Sequence, residues 1–292
     1  KSRICAVMDV PSEMAGILAT QVAVLAGLYC FLDKREGKAP KPLSCSAKQR
    51  CETWFLLYAI FWIGCFAIIV GFKVYEAMDK WAYICVCSGL AAPLLLQPLF
   101  VPSVTGEEEV PLMQRHCTKA NAWIAIYSFL GNYWGTHYFY CVLKAKYTLP
   151  FLPAHQLNGV PVCMYFATHF YFSFYHALAN KVLRVVSARF WPSCARSAFL
   201  IALVCVMAYI VAFLETLSIA AFPYYVFENR GQMYTIGSAF YACYLVVSFP
   251  LFARLDHKSG DLSAECNDQH TFFEACLESC GSFMIIMCLL DF

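Results

Sequence analysis

The chain has 292 residues, 61% of them hydrophobic and only 14% charged, with a formal net charge of +2. A soluble domain of this length needs more polar surface than these residues supply. So small a charge carries no sign of a nucleic-acid partner.

Apolar runs recur at about 14–32, 52–72, 82–103, 120–143, 160–180, 198–222, 234–253 and 271–290. Each is close to the roughly 20 residues that a helix needs to cross hydrocarbon. Lipid offers no hydrogen-bond partners to open sheet edges, so the expected fold class is all-α. It is a polytopic transmembrane helical bundle of about eight spans. The first run follows Lys1 and Arg3, but no small-x-small cleavage site closes it before Asp33–Lys34–Arg35. It reads as a membrane anchor rather than a signal peptide. Segments 33–51 and 255–270 read as disordered loops.

Lys and Arg divide unevenly among the connections. Segments 33–51, 104–119, 181–196 and 254–270 hold 14 of the 21, and the alternate set holds 7. The richer set should face the cytosol. Seventeen cysteines form no CxxC; Cys85/Cys87 and Cys276/Cys280 come nearest, and most others lie singly in apolar runs as small hydrophobes.

Ionisable groups inside a span are costly and mark candidate sites. The fourth span carries His137, which shares a face with Tyr133 and Tyr140, beside Asn132 and Thr136. In the fifth, His169, Ser173, His176 and Asn180 recur at helical spacing on one face. The sixth holds Glu215 within AYIVAFLETLSIAAF, followed by FPYY, which should break the helix at Pro223. Any of these groups can serve as interhelical glue. As a set they also suit proton chemistry. A carboxyl group in low dielectric keeps its proton and becomes a usable acid near neutral pH; a neutral imidazole can act as base. Zinc or iron is disfavoured, because HExxH is absent and His169 and His176 stand seven apart.

Four stretches carry a resemblance to a known family. KANAWIAIYSFLGNYWGTHYFYCVLKAKYTLP (119–150), THFYFSFYHALAN (168–180), FLETLSIAAFPYYVFENRGQMY (213–234) and YACYLVVSFPLFARLDHK (241–258) resemble the cycloeucalenol cycloisomerases. A weaker likeness begins at KQRCETWFLLY (48–58). The likeness divides the chain into 1–47, an additional span with a basic loop, and 48–292, a membrane domain of the family type. It implies a sterol-biosynthesis isomerase of the endoplasmic reticulum membrane, its basic loops cytosolic. Such an enzyme opens the cyclopropane ring of cycloeucalenol to give obtusifoliol, with no cofactor or metal.

The implied substrate is a sterol from the bilayer, the implied surroundings are membrane lipid, and other sterol-pathway enzymes are the implied protein partners. Glu215, His169, His176 and His137 are then the catalytic candidates. Either Glu215 donates the proton and a histidine takes one up, or the reverse. Asn132, Tyr133, Trp134, Thr136, Asn180, Tyr224 and Tyr225 are the candidate pocket residues. The chain departs from the family pattern at Val162, Phe213 and Ala221, where the family has His, Tyr and Asn. A sterol carrier or scaffold, and a cofactor-free sterol double-bond isomerase, are the alternatives.

Overall fold

The computed structural model describes residues 10–35, 46–151, 155–220, 222–257 and 269–291. Eight long helices account for most of them, one for each apolar run. They are α1 (Ser12–Tyr29), α2 (Ser46–Gly71), α3 (Lys80–Phe100), α4 (His116–Leu130, continuing through Gly131–Gly135 to Thr136–Val142), α5 (Val162–Arg189), α6 (Cys194–Ala220), α7 (Arg230–Gln232, continuing through Met233–Gly237 to Ser238–Ala253) and α8 (Phe272–Leu290). Six are by themselves long and apolar enough to cross a membrane. The other two are α4, which is interrupted, and α5, which carries a polar stripe.

Local chemistry sets the helix ends. Asp79 caps α3 by accepting the Ala82 N–H at 2.8 Å. Thr271 and Glu274 cap α8 reciprocally, each side chain accepting the other's backbone N–H. The Glu107 carboxylate accepts the first N–H groups of α4, from His116 and Cys117. Helix α6 stops at Ala220, ahead of Pro223 as the sequence predicts; Ala221 lies outside the described residues.

Both interrupted helices contain a π turn. In α4 it is Gly-Asn-Tyr-Trp-Gly (131–135) and in α7 Met-Tyr-Thr-Ile-Gly (233–237). Such turns place one extra residue in the helix and often occur at functional sites. The α4 turn brings its backbone against α7, where the Tyr244 hydroxyl donates to the Gly135 carbonyl at 3.0 Å. A Cβ on Gly135 would lie 2.6 Å from that hydroxyl. The glycine is required by this approach.

Helix α5 is the hub, packing against α2, α3, α4, α6 and α7. Helix α1 packs chiefly on α6. Trp62 of α2 lies against Phe170 and Tyr171 of α5, with centroids 5.0 and 4.7 Å apart. Two short antiparallel pairs complete the fold: β1 (Lys146–Tyr147) with β4 (Tyr225–Val226), and β2 (Gln156–Leu157) with β3 (Val160–Pro161). The first pair clips the connection after α4 to the one before α7.

Both segments expected as disordered loops are ordered where described. Residues 47–51 belong to α2, and Lys48, Asp256, His257 and His270 are buried. The reason is charge pairing within the bundle, taken up below. Residues 36–45 and 258–268 of those segments lie outside the described residues.

Candidate active site

Glu215 projects from α6 toward α5 and α7. Its carboxylate oxygen Oε2 accepts the Tyr241 hydroxyl of α7 at 2.8 Å, and Tyr175 of α5 stands beside the same carboxyl group. Tyr127, Tyr147, Tyr171 and Tyr225 stand within electrostatic reach. The strand pair β1–β4 supplies two of these rings, holding Tyr147 and Tyr225 with centroids 4.8 Å apart. Glu215 and every one of these tyrosines except Tyr127 are half-buried. The rings therefore surround the carboxyl group without closing onto it. Among the described residues no Lys, Arg or His pairs with Glu215.

The histidines occupy other positions. At 100° per residue, His169 and His176 lie on the side of α5 away from Tyr171 and Tyr175. His169 Nε2 is 3.0 Å from Asn121 Oδ1 on α4, an interhelical bond in which the imidazole donates. His176 is fully buried among Trp123, Tyr127, Phe172, Phe249 and Phe252. Its Nδ1 donates to the Phe172 carbonyl at 2.8 Å, so Nε2 accepts the Ser248 hydroxyl at 2.9 Å. Both ring nitrogens are engaged. His137 is half-buried, its ring edge-on to Tyr140 at 5.8 Å, and its nitrogens have no hydrogen-bond partner among the described residues. Tyr140 in turn lies 6.5 Å from Tyr147.

The expected pocket residues scatter. Asn132, in the α4 π turn, joins α4 to α5 by donating to Thr168 Oγ1 at 2.7 Å. Tyr133 stacks on Phe129, and its carbonyl accepts from Asn158. Trp134 is 48% exposed. Thr136 turns back to the Gly131 carbonyl. Tyr224 lies edge-on to Tyr75 at 6.3 Å. Of this group, only Tyr225 joins the rings around Glu215. Val162 and Phe213 begin α5 and line α6 respectively, with Phe213 buried edge-on to Tyr234.

Asn180 belongs to a second polar cluster, where the basic loops converge. It donates to Glu52 of α2 at 3.3 Å, and Glu52 is paired with Arg184 of α5 through both carboxylate oxygens. Nearby, Asp256 takes His116 Nδ1 and Lys119 Nζ, each at 2.6 Å. Lys48 Nζ donates to the Ala253 and Leu255 carbonyls at 2.7 and 2.6 Å. Burial alone would push the Asp256 carboxyl up, but the hydrogen bonds and charges of His116 and Lys119 outweigh it. They hold Asp256 well below the usual carboxylate range. His257 is 2% exposed with neither ring nitrogen bonded. Burial, then the charges of Lys48, Arg184 and His116, lower it to about 4.

No group of three or more His, Cys, Asp or Glu converges as a metal site among the described residues, and every cysteine among them is a free thiol. A cavity of about 790 Å³ opens at the end of the bundle between Val142–Lys144 and Glu228–Gln232. It does not include Glu215. Its walls are the exposed turns that flank the β1–β4 clip, whereas acid chemistry needs the water-poor interior around the carboxyl group.

Sequence reasoning passed over Tyr147, Tyr171, Tyr175 and Tyr241, and all of the Asp256–Glu52 cluster except Asn180. Tyr171 and Tyr175 were detectable as a pair one helical turn apart on a single face. Nothing in the sequence alone set them apart from the other tyrosines, which number 18 in all.

No family model and no solved structure matches the chain. Among curated proteins it is similar to cycloeucalenol cycloisomerase of Arabidopsis thaliana, with 36% identity over 256 residues, 87% of this chain and 86% of the relative. Identity at that level along nearly the whole of both proteins places this chain in the cycloeucalenol cycloisomerase family.

Proposed function

We propose that this protein opens the cyclopropane ring of a cycloeucalenol-type sterol to give an obtusifoliol-type product, with Glu215 as the proton donor. The observation that carries this reading is a half-buried carboxyl group between three helices, bonded to the Tyr241 phenol and paired with no cation among the described residues. Without a counter-charge, low dielectric favours the protonated acid. The reaction adds a proton to the cyclopropane methylene as its bond to the ring-junction carbon breaks. The methylene becomes a methyl group, and positive charge develops at the junction carbon. Loss of an adjacent proton then leaves the nuclear double bond, so substrate and product are isomers and no redox partner enters.

Tyrosine faces around the carboxyl group suit the cationic stage, since a ring attracts positive charge without bonding to it. His137 is the preferred base, because His169 and His176 spend their side chains on bonds between helices. The sterol arrives from the bilayer in this reading. The protein resides in the endoplasmic reticulum membrane with its basic loops cytosolic, in keeping with their excess of Lys and Arg. Other enzymes of the sterol pathway are its expected neighbours.

Feeding cycloeucalenol to microsomes from a host that lacks this activity, with and without this protein, tests the reading by mass analysis of sterols. Obtusifoliol is the expected product. Folded protein that yields none overturns the assignment.

A further inference from the structure

The proposed proton acceptor sets an uncommon demand on the acid. A cyclopropane methylene has no lone pair, so the substrate cannot orient an O–H group by accepting a hydrogen bond from it. The protein has to aim the carboxyl group. When the proton leaves, a carboxylate remains in surroundings that supply no cation.

Two groups meet both demands. Tyr241 of α7 donates to Oε2 of Glu215 at 2.8 Å, and Tyr175 of α5 stands beside the same carboxyl group. They come from two different neighbours of α6. The destination of the hydroxyls is informative. Tyr58, Tyr83, Tyr127 and Tyr244, all buried, donate to main-chain carbonyls and tie helices or turns together. Tyr241 instead spends its hydroxyl on the one group proposed to change charge. Hydrogen bonds to an ionised acceptor are roughly twice as strong as those between neutral groups. The Tyr241 bond therefore tightens as the proton departs, in the manner of a donor aimed at developing negative charge.

Resting on the reading of Glu215 as the acid, we propose that Tyr175 and Tyr241 are positioning residues for proton transfer. They hold the carboxyl group so that its own O–H points at the substrate, and they stabilise the carboxylate that results.

The test uses the full chain in lipid nanodiscs and follows sterol turnover by mass. It compares Tyr175→Phe, Tyr241→Phe, the double variant and Glu215→Gln, each normalised to folded protein by size-exclusion chromatography. Phenylalanine keeps the ring and removes only the donor. Each single variant is expected to lose about 10- to 100-fold in kcat, the range for one hydrogen bond to a charged group, while KM stays within about twofold of wild type. The solvent deuterium isotope effect should rise, as proton donation becomes more fully rate-limiting. In the Glu215→Gln background, neither tyrosine change should lower the residual rate further.

If both tyrosine variants keep kcat within twofold while Glu215→Gln is inactive, the positioning role falls and the acid stands. If KM rises with kcat intact, the tyrosines bind the sterol and the proposal is overturned. Wild-type turnover by Glu215→Gln would remove the acid, and the positioning role with it.

Discussion

Where the basic loops converge, Asp256 meets His116 and Lys119, and Glu52 meets Arg184. Between α5, α6 and α7, Glu215 meets phenols instead. Both regions bury carboxyl groups, but the first supplies each with a cation on a neighbouring helix. Removing one member of such a pair strands the other in low dielectric. The second region leaves its carboxyl group free to hold a proton and to give it up. Identical residue types thus separate into scaffold and chemistry according to what faces them, and fixed charge is the sorting criterion.

The contrast breaks most directly at Glu215. Changing it to Gln keeps the size and a hydrogen-bond acceptor for Tyr241, so thermal unfolding in detergent should be unchanged. Turnover should fall by about 10²- to 10⁴-fold, the usual worth of a general acid. Next in size, Glu52→Gln should leave the Arg184 charge uncompensated at a cost of about 3–5 kcal/mol. That would show as a lowered unfolding midpoint with turnover per folded molecule preserved. If Glu52→Gln abolishes turnover without loss of stability, the division between the two regions fails.

Gly135→Ala should cost about 1–3 kcal/mol by overpacking against Tyr244, and a truncated Tyr244 partner should recover part of it. The smallest effect is on acid stability. His257, at about 4 in the folded protein against about 6.5 unfolded, binds fewer protons when folded. Its contribution is complete above the unfolded value and is lost as pH falls from about 6.5 toward 4. Replacing His257 with Asn should flatten that limb of an unfolding-versus-pH profile. Asp256 acts at lower pH and in the same sense, so a residual slope below about pH 4 should survive the substitution.

The eight helices were legible because length and apolarity are local properties, and α6 ended before Pro223 as predicted. Glu215 was legible for the same reason, being a lone carboxyl group in an apolar run. What surrounds it was not. Tyr147 and Tyr225 meet only because β1 and β4 pair across nearly 80 residues of sequence, and Tyr241 reaches Glu215 from a different helix. The face shared by His169, His176 and Asn180 was read correctly as a face. Its partners are Asn121, Ser248 and Glu52, on three other helices, and spacing along one helix carries no information about which neighbour it meets. Lys48, Lys119 and Asp256 looked like loop charges because their matching partners lie far away in sequence.

The polar stripe of α5 also has a consequence for how the protein is made. Buried His169, Ser173, His176, Asn180 and Arg184 lie along a helix that α2, α3, α4, α6 and α7 enclose. A single charged residue at mid-helix can cost about 2.5–3.5 kcal/mol to insert into a membrane. Helix α5 leaves the ribosome after α2 and α4, which carry Glu52 and Asn121, but before α7, which carries Ser248. During synthesis it waits beside two of these three partners, with His176 still lacking Ser248. The stripe is therefore fully partnered only once α7 is complete, while the charge of Arg184 already has Glu52 when α5 emerges.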